Sequence, residues 1–303
     1  MNIVIIGQGA IGLLWYFKLS QQADNNVTLR CSSKDKSLPK RMTFTDSSQQ
    51  NHQQIIAFAS DEHLQQADLI IYCLKAYALE DAHLQYHPLF NNNATIIFSH
   101  NGLIDIQSFA LPLKNNQAIL AMLMTHGSLK TDHLTIAHTG EGHSDIGLIA
   151  GNISETKLNK LVDSLNEALS PVIWQQDIKE KQWIKLAINC VINPLTAIHN
   201  GNNGMITNIK FEQEVQAILQ EVVMIALKHE VILSLNDLTQ TVFNVAEKTA
   251  LNCSSMRSDI LARRKTEIDH INGFVHQQGV MFNIATPQNT ALWQQIKKLE
   301  SEK

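Results

Sequence analysis

The chain opens on a short apolar run, Asn2-Ile3-Val4-Ile5-Ile6. It stops at Gly7-Gln8-Gly9-Ala10-Ile11-Gly12 and passes into a helical pattern through Leu14, Trp15, Phe17 and Leu19. A β-branched run without polar alternation suits a strand covered on both faces, as in a parallel sheet. The three glycines have separate mechanical tasks. Gly7 permits a tight turn, Gly9 lets a pyrophosphate approach the backbone, and Gly12 allows the helix to pack close on the strand. The helix N-terminus then offers unpaired N–H groups and its positive dipole end to phosphate oxygens. A bare G-x-G-x-x-G is a weak signal, but between a strand and a helix it points to a dinucleotide-binding turn. Gly7, Gln8, Gly9, Ala10, Ile11 and Gly12 are the candidate contacts.

Further strand candidates follow at Val27–Arg30, Ile55–Phe58, Leu69–Leu74, Thr95–Ser99, Ile119–Leu123, Leu148–Ile149 and Val172–Trp174, with helical stretches between several of them. This alternating order predicts an α/β fold, an open sheet of Rossmann type with helices on its faces. Residues 128–147 read as hairpin or loop excursions. Beyond about Gln176 the pattern changes to long helices with few strand signals. The expected organisation is a dinucleotide-binding domain over residues 1–176 and an all-helical domain over 177–303, and 303 residues do exceed what one core usually serves.

Which dinucleotide fits depends on the end of the second strand. Sites for NAD place Asp or Glu there, about 20 residues past the turn, to accept from the ribose 2′-hydroxyl. Here the strand ends in Arg30, which cannot accept but can clamp a 2′-phosphate through paired donors. Lys75, just past the strand Asp68–Leu74, lies at the same sheet edge and adds charge. The expected cofactor is NADP(H). A net charge of −4 gives no support for a nucleic-acid or acidic-membrane partner. No stretch reaches the ~20 apolar residues a membrane helix needs, and the N-terminus lacks the basic region and cleavage site of a signal peptide. Four cysteines, Cys31, Cys73, Cys190 and Cys253, form no close pair and read as free thiols of a reducing cytosol.

The segment Trp183–Ile198 carries the second signal. On a helix, steps of four drift only about 40°, so Lys185, Asn189 and Asn193 make one polar stripe. Trp183, Ile184, Leu186, Ala187, Ile188, Val191, Ile192 and Leu195 surround it, and a helix apolar nearly all round is buried. The stripe is expected to line a cavity, because Asn is a poor helix former that needs a reason to appear twice. Pro194 removes one backbone donor and is expected to kink or interrupt the helix. Downstream, Asn252 and Ser255 are three apart. Thr266 with Asp269 reads as a capping box that starts a helix burying Ile268, Ile271 and Val275, with Glu267 as its first residue. Thr286-Pro287 reads as the start of the terminal helix.

At these residues the chain resembles the ketopantoate reductase (2-dehydropantoate 2-reductase) family. The matching stretches are Gly7–Gly12, Leu74-Lys75-Ala76, His100-Asn101-Gly102, Thr125-His126, Trp183–Ile198, Asn203-Gly204, Asn252–Met256 and Thr266–Phe274, nearly end to end. The runs Lys-Leu-Ala-Ile-Asn-Cys-Val-Ile-Asn-Pro-Leu-Thr-Ala and Thr-Glu-Ile-Asp-x-Ile-Asn-Gly are far more specific than the glycine turn. The resemblance implies a cytoplasmic enzyme of pantothenate and coenzyme A biosynthesis that reduces 2-dehydropantoate to (R)-pantoate with NADPH at a site between its two domains. It implies that Lys185 donates the proton, with Glu267 as its partner and a cofactor contact. Asn101, Asn189, Asn193 and Asn203 fall on the polar groups around substrate and nicotinamide. Asn252, Cys253, Ser254 and Ser255 match the segment that receives substrate. Arg30 and Lys75 match the residues that hold the 2′-phosphate, and Ser128 falls near a further cofactor contact. Two departures stand out. Ala78 replaces a cofactor-contacting Gln, and Phe282-Asn283 replaces a His-Gly pair, where Asn tolerates the left-handed conformation.

Two other readings remain open on the sequence: a reductase of another branched 2-oxo acid, and a non-catalytic NADP(H)-binding regulator. The second would not need Lys185, Glu267 and the Asn set. No metal is expected, because His133, His138 and His143 recur every five residues, a spacing that suits neither a helix face nor a usual ligand pair, and read as mostly solvated. Whether the chain is a monomer or a homodimer is not legible.

Overall fold

A computed structural model of the chain describes residues 1–31, 41–104, 113–114 and 116–302. Two units emerge, one of Met1–His100 with Asp105–Ile178, the other of Asn101–Ile104 with Lys179–Lys303.

In the first unit β1 (Asn2–Ile6) leads through the glycine turn into α1 (Ala10–Leu19), then β2 (Asn26–Arg30), β3 (Arg41–Thr45) and β4 (Asn51–Ile55). Next come α2 (Asp61–Gln66), β5 (Leu69–Tyr72), α3 (Leu79–Tyr86), β6 (Thr95–Phe98), β7 (Ala118–Met124), β8 (Gly127–Asp132), β9 (Thr135–Gly140), β10 (Ser144–Gly151), α4 (Glu155–Ala168) and β11 (Val172–Trp174). Seven strands form one sheet in the order β11-β10-β7-β6-β5-β1-β2. All its pairings are parallel except β10 with β7. Ile3, Ile5, Leu13, Leu14, Trp15 and Ile71 are buried in its core, as unalternated apolar strands require.

A second sheet, β4-β3-β9-β8, contains the hairpin β8–β9 expected within residues 128–147, while β3 has no counterpart among the expected strands. The expected strand at Ile55–Phe58 is corrected. The strand lies earlier, at Asn51–Ile55, and Phe58 makes only a single bridge to Leu29. The reason is composition, since Asn51-His52-Gln53-Gln54 carries no apolar alternation. β3 does alternate, with Met42 and Phe44 buried, and Phe44 stacks on Phe17 of α1 at 4.1 Å between ring centroids.

The second unit contains α5 (Ile178–Ile198, whose first residue belongs to the first unit), α6 (Glu212–Lys228), α7 (Leu235–Lys248), α8 (Ser255–Leu261), α9 (Asn272–Phe282) and α10 (Pro287–Ser301). Its core gathers Leu186, Val191, Leu195, Ile218, Val222, Val242 and Val275. Of the two effects expected of Pro194, a kink or an interruption, the interruption is corrected, because α5 runs unbroken through it. Proline has no N–H for the carbonyl four residues back, that of Cys190. The Asn272 side-chain amide of α9 donates to that carbonyl at 3.0 Å and to Asn289 Oδ1 at 2.9 Å. Asn289 in turn donates to Glu221 and to the Ile218 carbonyl. Glu221 also accepts the backbone N–H groups of Gln288 and Asn289, so the first turn of α10 is capped by a carboxylate from α6. A wholly buried relay thus replaces the missing backbone bond.

Candidate active site

The glycine turn is a backbone device. Gly7 sits at φ +120°, and a Cβ there would lie 2.3 Å from the Cys73 carbonyl oxygen. A Cβ on Gly12 would lie 2.0 Å from Gly7 O. Both positions exclude a side chain for reasons internal to the chain. Gly9 is different, because a Cβ there meets nothing closer than Cys73 O at 3.9 Å, an ordinary contact. The fold does not demand a glycine at 9, so the open backbone face is available to a bound group. The hairpin β8–β9 ties itself to this turn: Ser128 Oγ donates to Ala10 O at 3.2 Å and Lys130 Nζ to Gln8 O at 2.9 Å. Ser128 therefore spends its hydroxyl proton on the first turn of α1.

Arg30 stands opposite Ile6 at the C-terminal end of β2, and its carbonyl accepts from Gly7 N at 3.0 Å. Tyr72 stands opposite Ile6 on the other side, and half-buried Lys75 follows three residues on. Both cationic residues are thus carried on chain that flanks the glycine turn at one sheet edge. Arg30 donates to Ala59 O at 2.9 Å and to Asp61 Oδ1 at 2.8 Å, and its guanidinium lies 5.1 Å from the Tyr86 ring centroid.

In the helical unit Lys185, Asn189 and Asn193 occupy successive turns of α5. Lys185 and Asn189 are half-buried and Asn193 is buried. The Nδ2 of Asn189 is buried without a hydrogen-bond partner, a costly state for a carboxamide donor. Glu267 is only 4% exposed and accepts from Asn101 Nδ2 at 3.1 Å. Asn101 reaches it because Leu103 N bonds His270 O at 3.1 Å and Gly102, at φ +79°, leaves room, since a Cβ there would lie 2.2 Å from His270 O.

The capping box at Thr266 and Asp269 is corrected. Residues Ile268–His270 form a single 3-10 turn, and α9 starts only at Asn272. Thr266 Oγ1 accepts from Ile268 N at 3.2 Å, while Thr266 N donates to Glu300. Asp269 turns to α10, accepting from Trp293 Nε1 at 2.8 Å and Lys297 Nζ at 3.1 Å. A tertiary salt bridge takes the carboxylate that the local motif would have used. Ile268, Ile271 and Val275 are buried as expected. Asn283 ends α9 in the left-handed region, φ 54°, where the expected glycine is missing.

Asn203 donates to Thr249 Oγ1 at 3.0 Å and leaves its own Oδ1 buried without a partner. Its backbone N–H bonds Asn252 O at 3.0 Å, which places Asn203 against the 252–255 segment. There Asn252, Cys253 and Ser255 are exposed. Ser254 is buried and committed, accepting from Arg257 N at 3.1 Å as the cap of α8 and from Thr196 Oγ1 at 2.7 Å. Thr196 and Thr249 thus hold candidate site residues in place, and Asn272 holds the backbone of α5. The sequence alone assigned none of the three a role. Only Pro194, by orphaning a carbonyl, carried a signal that some donor such as Asn272 was needed.

Of the histidines expected to be mostly solvated, His133 is exposed and His143 half-exposed, and His138 alone departs. His138 is buried, and with His126 and Glu141 it forms a group whose ligand atoms lie within 4.8 Å of one another. His126 Nδ1 already accepts from Gly142 N at 3.2 Å, so that lone pair is committed. Burial keeps Cys73 protonated, pushing its thiol up to about 12, and raises Cys190 well above the thiol range. None of the four cysteines is in a disulfide, and Cys190 packs in the helical core.

A sheet unit with a phosphate-ready turn, joined to a helical unit bearing a lysine among carboxamides, defines a nicotinamide-dependent oxidoreductase by class. The model of ketopantoate reductase PanE/ApbA matches residues 3–151, and that of its C-terminal domain matches 177–300. The chain belongs to the ketopantoate reductase family. It is 36% identical to a 2-dehydropantoate 2-reductase of Vibrio cholerae, covering 99% of this chain and 98% of that one. Among solved structures it is similar in fold to a D-mandelate dehydrogenase with NADH and anilino(oxo)acetate, at TM-score 0.88 and 22% identity, with 100% and 99% of the two chains covered. A ketopantoate reductase of Ralstonia eutropha JMP134 superposes at TM-score 0.86 and 23% identity over the same shares. No helix among the described residues is long and apolar enough to cross a membrane.

Proposed function

We propose that the chain reduces 2-dehydropantoate to (R)-pantoate with NADPH, in the cytoplasm, as a monomer or homodimer. The observation that carries this reading is the α5 stripe. Lys185 shares one face with Asn189, whose buried Nδ2 lacks a partner and suits a substrate oxygen. The turn fits a dinucleotide on its own terms, since Gly9 leaves backbone open where nothing internal requires it. Gly7 to Gly12 would hold the pyrophosphate and Arg30 with Lys75 the 2′-phosphate, while Asn101, Ser128 and Glu267 complete the cofactor contacts. When bound, NADPH would supply a hydride, one proton with two electrons, to the C2 carbonyl carbon.

The protein's share is position, field and one proton. The cationic Lys185 faces the carbonyl oxygen, stabilises its developing negative charge and then transfers a proton from Nζ to it. Glu267, held by Asn101, fixes the lysine and favours its charged state, and the neutral amine regains its proton from solvent. Asn189, Asn193 and Asn203 hold the substrate's hydroxyl and carboxylate, and Asn252, Cys253, Ser254 and Ser255 form the segment that receives it. Ser255 donates to the carboxylate. The test is oxidation of NADPH on addition of 2-dehydropantoate, beside a panel of other branched 2-oxo acids. Turnover confined to another acid, or none at all, would overturn the proposal.

A further inference from the structure

NAD sites place a carboxylate at the end of β2. Here that position is Arg30, yet a carboxylate returns from another element. Asp61, the first residue of α2, lies 2.8 Å from Arg30 NH2. Its helix does not need it as a cap, because the Ser60 and His63 side chains already form a capping box. Nor does Arg30 need it for orientation, because the Ala59 carbonyl fixes NH1 at 2.9 Å and the Tyr86 ring lies beneath the guanidinium. Asp61 is 59% exposed and Arg30 23%, so the pair sits at a rim that a ligand reaches from solvent.

We infer that Asp61 is a specificity-determining residue that holds down the preference for the phosphorylated dinucleotide and keeps NADH a usable ligand. This rests on the cofactor reading above. A 2′-phosphate brings up to two negative charges to a guanidinium already neutralised by a carboxylate. It must share the donor fork with Asp61 and is repelled by it. An unphosphorylated ribose offers a 2′-hydroxyl instead, for which the same carboxylate is an acceptor. Removing the charge therefore acts in opposite directions on the two ligands. Solvent screening at the exposed rim keeps each effect to roughly threefold to tenfold.

The experiment is fluorescence titration of NADPH and of NADH into the full-length wild type, Asp61→Asn and Asp61→Ala, without substrate, with thermal midpoints as a folding control. Both variants are expected to bind NADPH about threefold to tenfold tighter at low salt. NADH is expected to bind more weakly, most clearly to Asp61→Ala, which lacks any acceptor for the hydroxyl. An unchanged NADPH:NADH ratio overturns the inference while leaving the cofactor reading intact, and so does weaker NADPH binding, which would make Asp61 a positioning residue for Arg30. A wild type that binds neither dinucleotide overturns both.

Discussion

Around the glycine turn, geometry is set by backbone, that of Gly7 against Gly12 and that of Cys73 against Gly7. In the helical unit it is set by side chains from segments far apart, as with Asn101 and Glu267, 166 positions from one another. The first arrangement tolerates no added atom at Gly7 or Gly12. The second tolerates irregular backbone, a proline within α5 and a helix start delayed to Asn272, because buried carboxamides and carboxylates supply the missing hydrogen bonds. One region is specified by sterics, the other by satisfaction of polar groups, and substitutions should separate them.

The largest effect is expected at Lys185. In Lys185→Ala, kcat should fall by about 10²- to 10⁴-fold, the usual weight of a positioned proton donor. NADPH affinity, which rests chiefly on the glycine turn, Arg30 and Lys75, should change little, as a fluorescence titration would report. Normal turnover would remove Lys185 from the chemistry. A parallel loss of NADPH affinity would make Lys185 part of the cofactor's hold rather than of the proton step alone.

The glycines provide an internal contrast. Gly7→Ala and Gly12→Ala drive a Cβ to 2.3 and 2.0 Å from carbonyl oxygens. Each should cost several kcal/mol in chemical denaturation or prevent folding, since the clashing atom is backbone. Gly9→Ala meets no such clash, so stability should stay within about 0.5 kcal/mol while NADPH binding weakens about tenfold or more. A destabilised Gly9→Ala would mean that the second glycine is structural after all.

This contrast also explains what could be read beforehand. The turn, β1, β2 and Arg30 were legible because the constraint is local and repeats at fixed spacing. The Lys185 stripe was legible because a helix places every fourth residue on one face. Asp61 beside Arg30, Asn101 beside Glu267 and Asp269 drawn off to Trp293 and Lys297 were not, since nothing in either local stretch encodes its partner. The strand Asn51–Ile55 escaped for a related reason: its pairing with β3 stabilises a polar segment whose own composition says loop.

The relay behind Pro194 tests polar satisfaction directly. Asn272→Ala leaves the Cys190 carbonyl and Asn289 Oδ1 without their donor inside the core, and opens a small void. A loss of about 2–4 kcal/mol is expected from urea denaturation. Asn272→Leu should be no better, because volume is restored but the donor is not. If Leu returned the protein to wild-type stability, packing rather than hydrogen bonding would be what keeps α5 continuous through its proline.

The smallest effect separates the units by pH. Within the sheet unit His83 is 1% exposed among the rings of Tyr72, His87, Phe90 and Phe98. Burial, with His87 adding to it, lowers its pKa to about 4. His87 and His126 are lowered as well, again chiefly by burial. A histidine whose folded pKa lies below its unfolded value of about 6.5 leaves stability untouched above that pH. As pH falls from there toward 4 the unfolded chain takes up protons that the folded chain refuses, and stability drops. Between pH 7.5 and 5.0 the His83 share is about 2 kcal/mol, and His83→Gln should flatten the slope by that order. Hydrogen exchange, corrected for intrinsic rates, should then show protection lost first in β5, β6 and α3 of the sheet unit. If amides of α6 and α9 opened first instead, the carboxylate relay of the helical unit would be the acid-labile element.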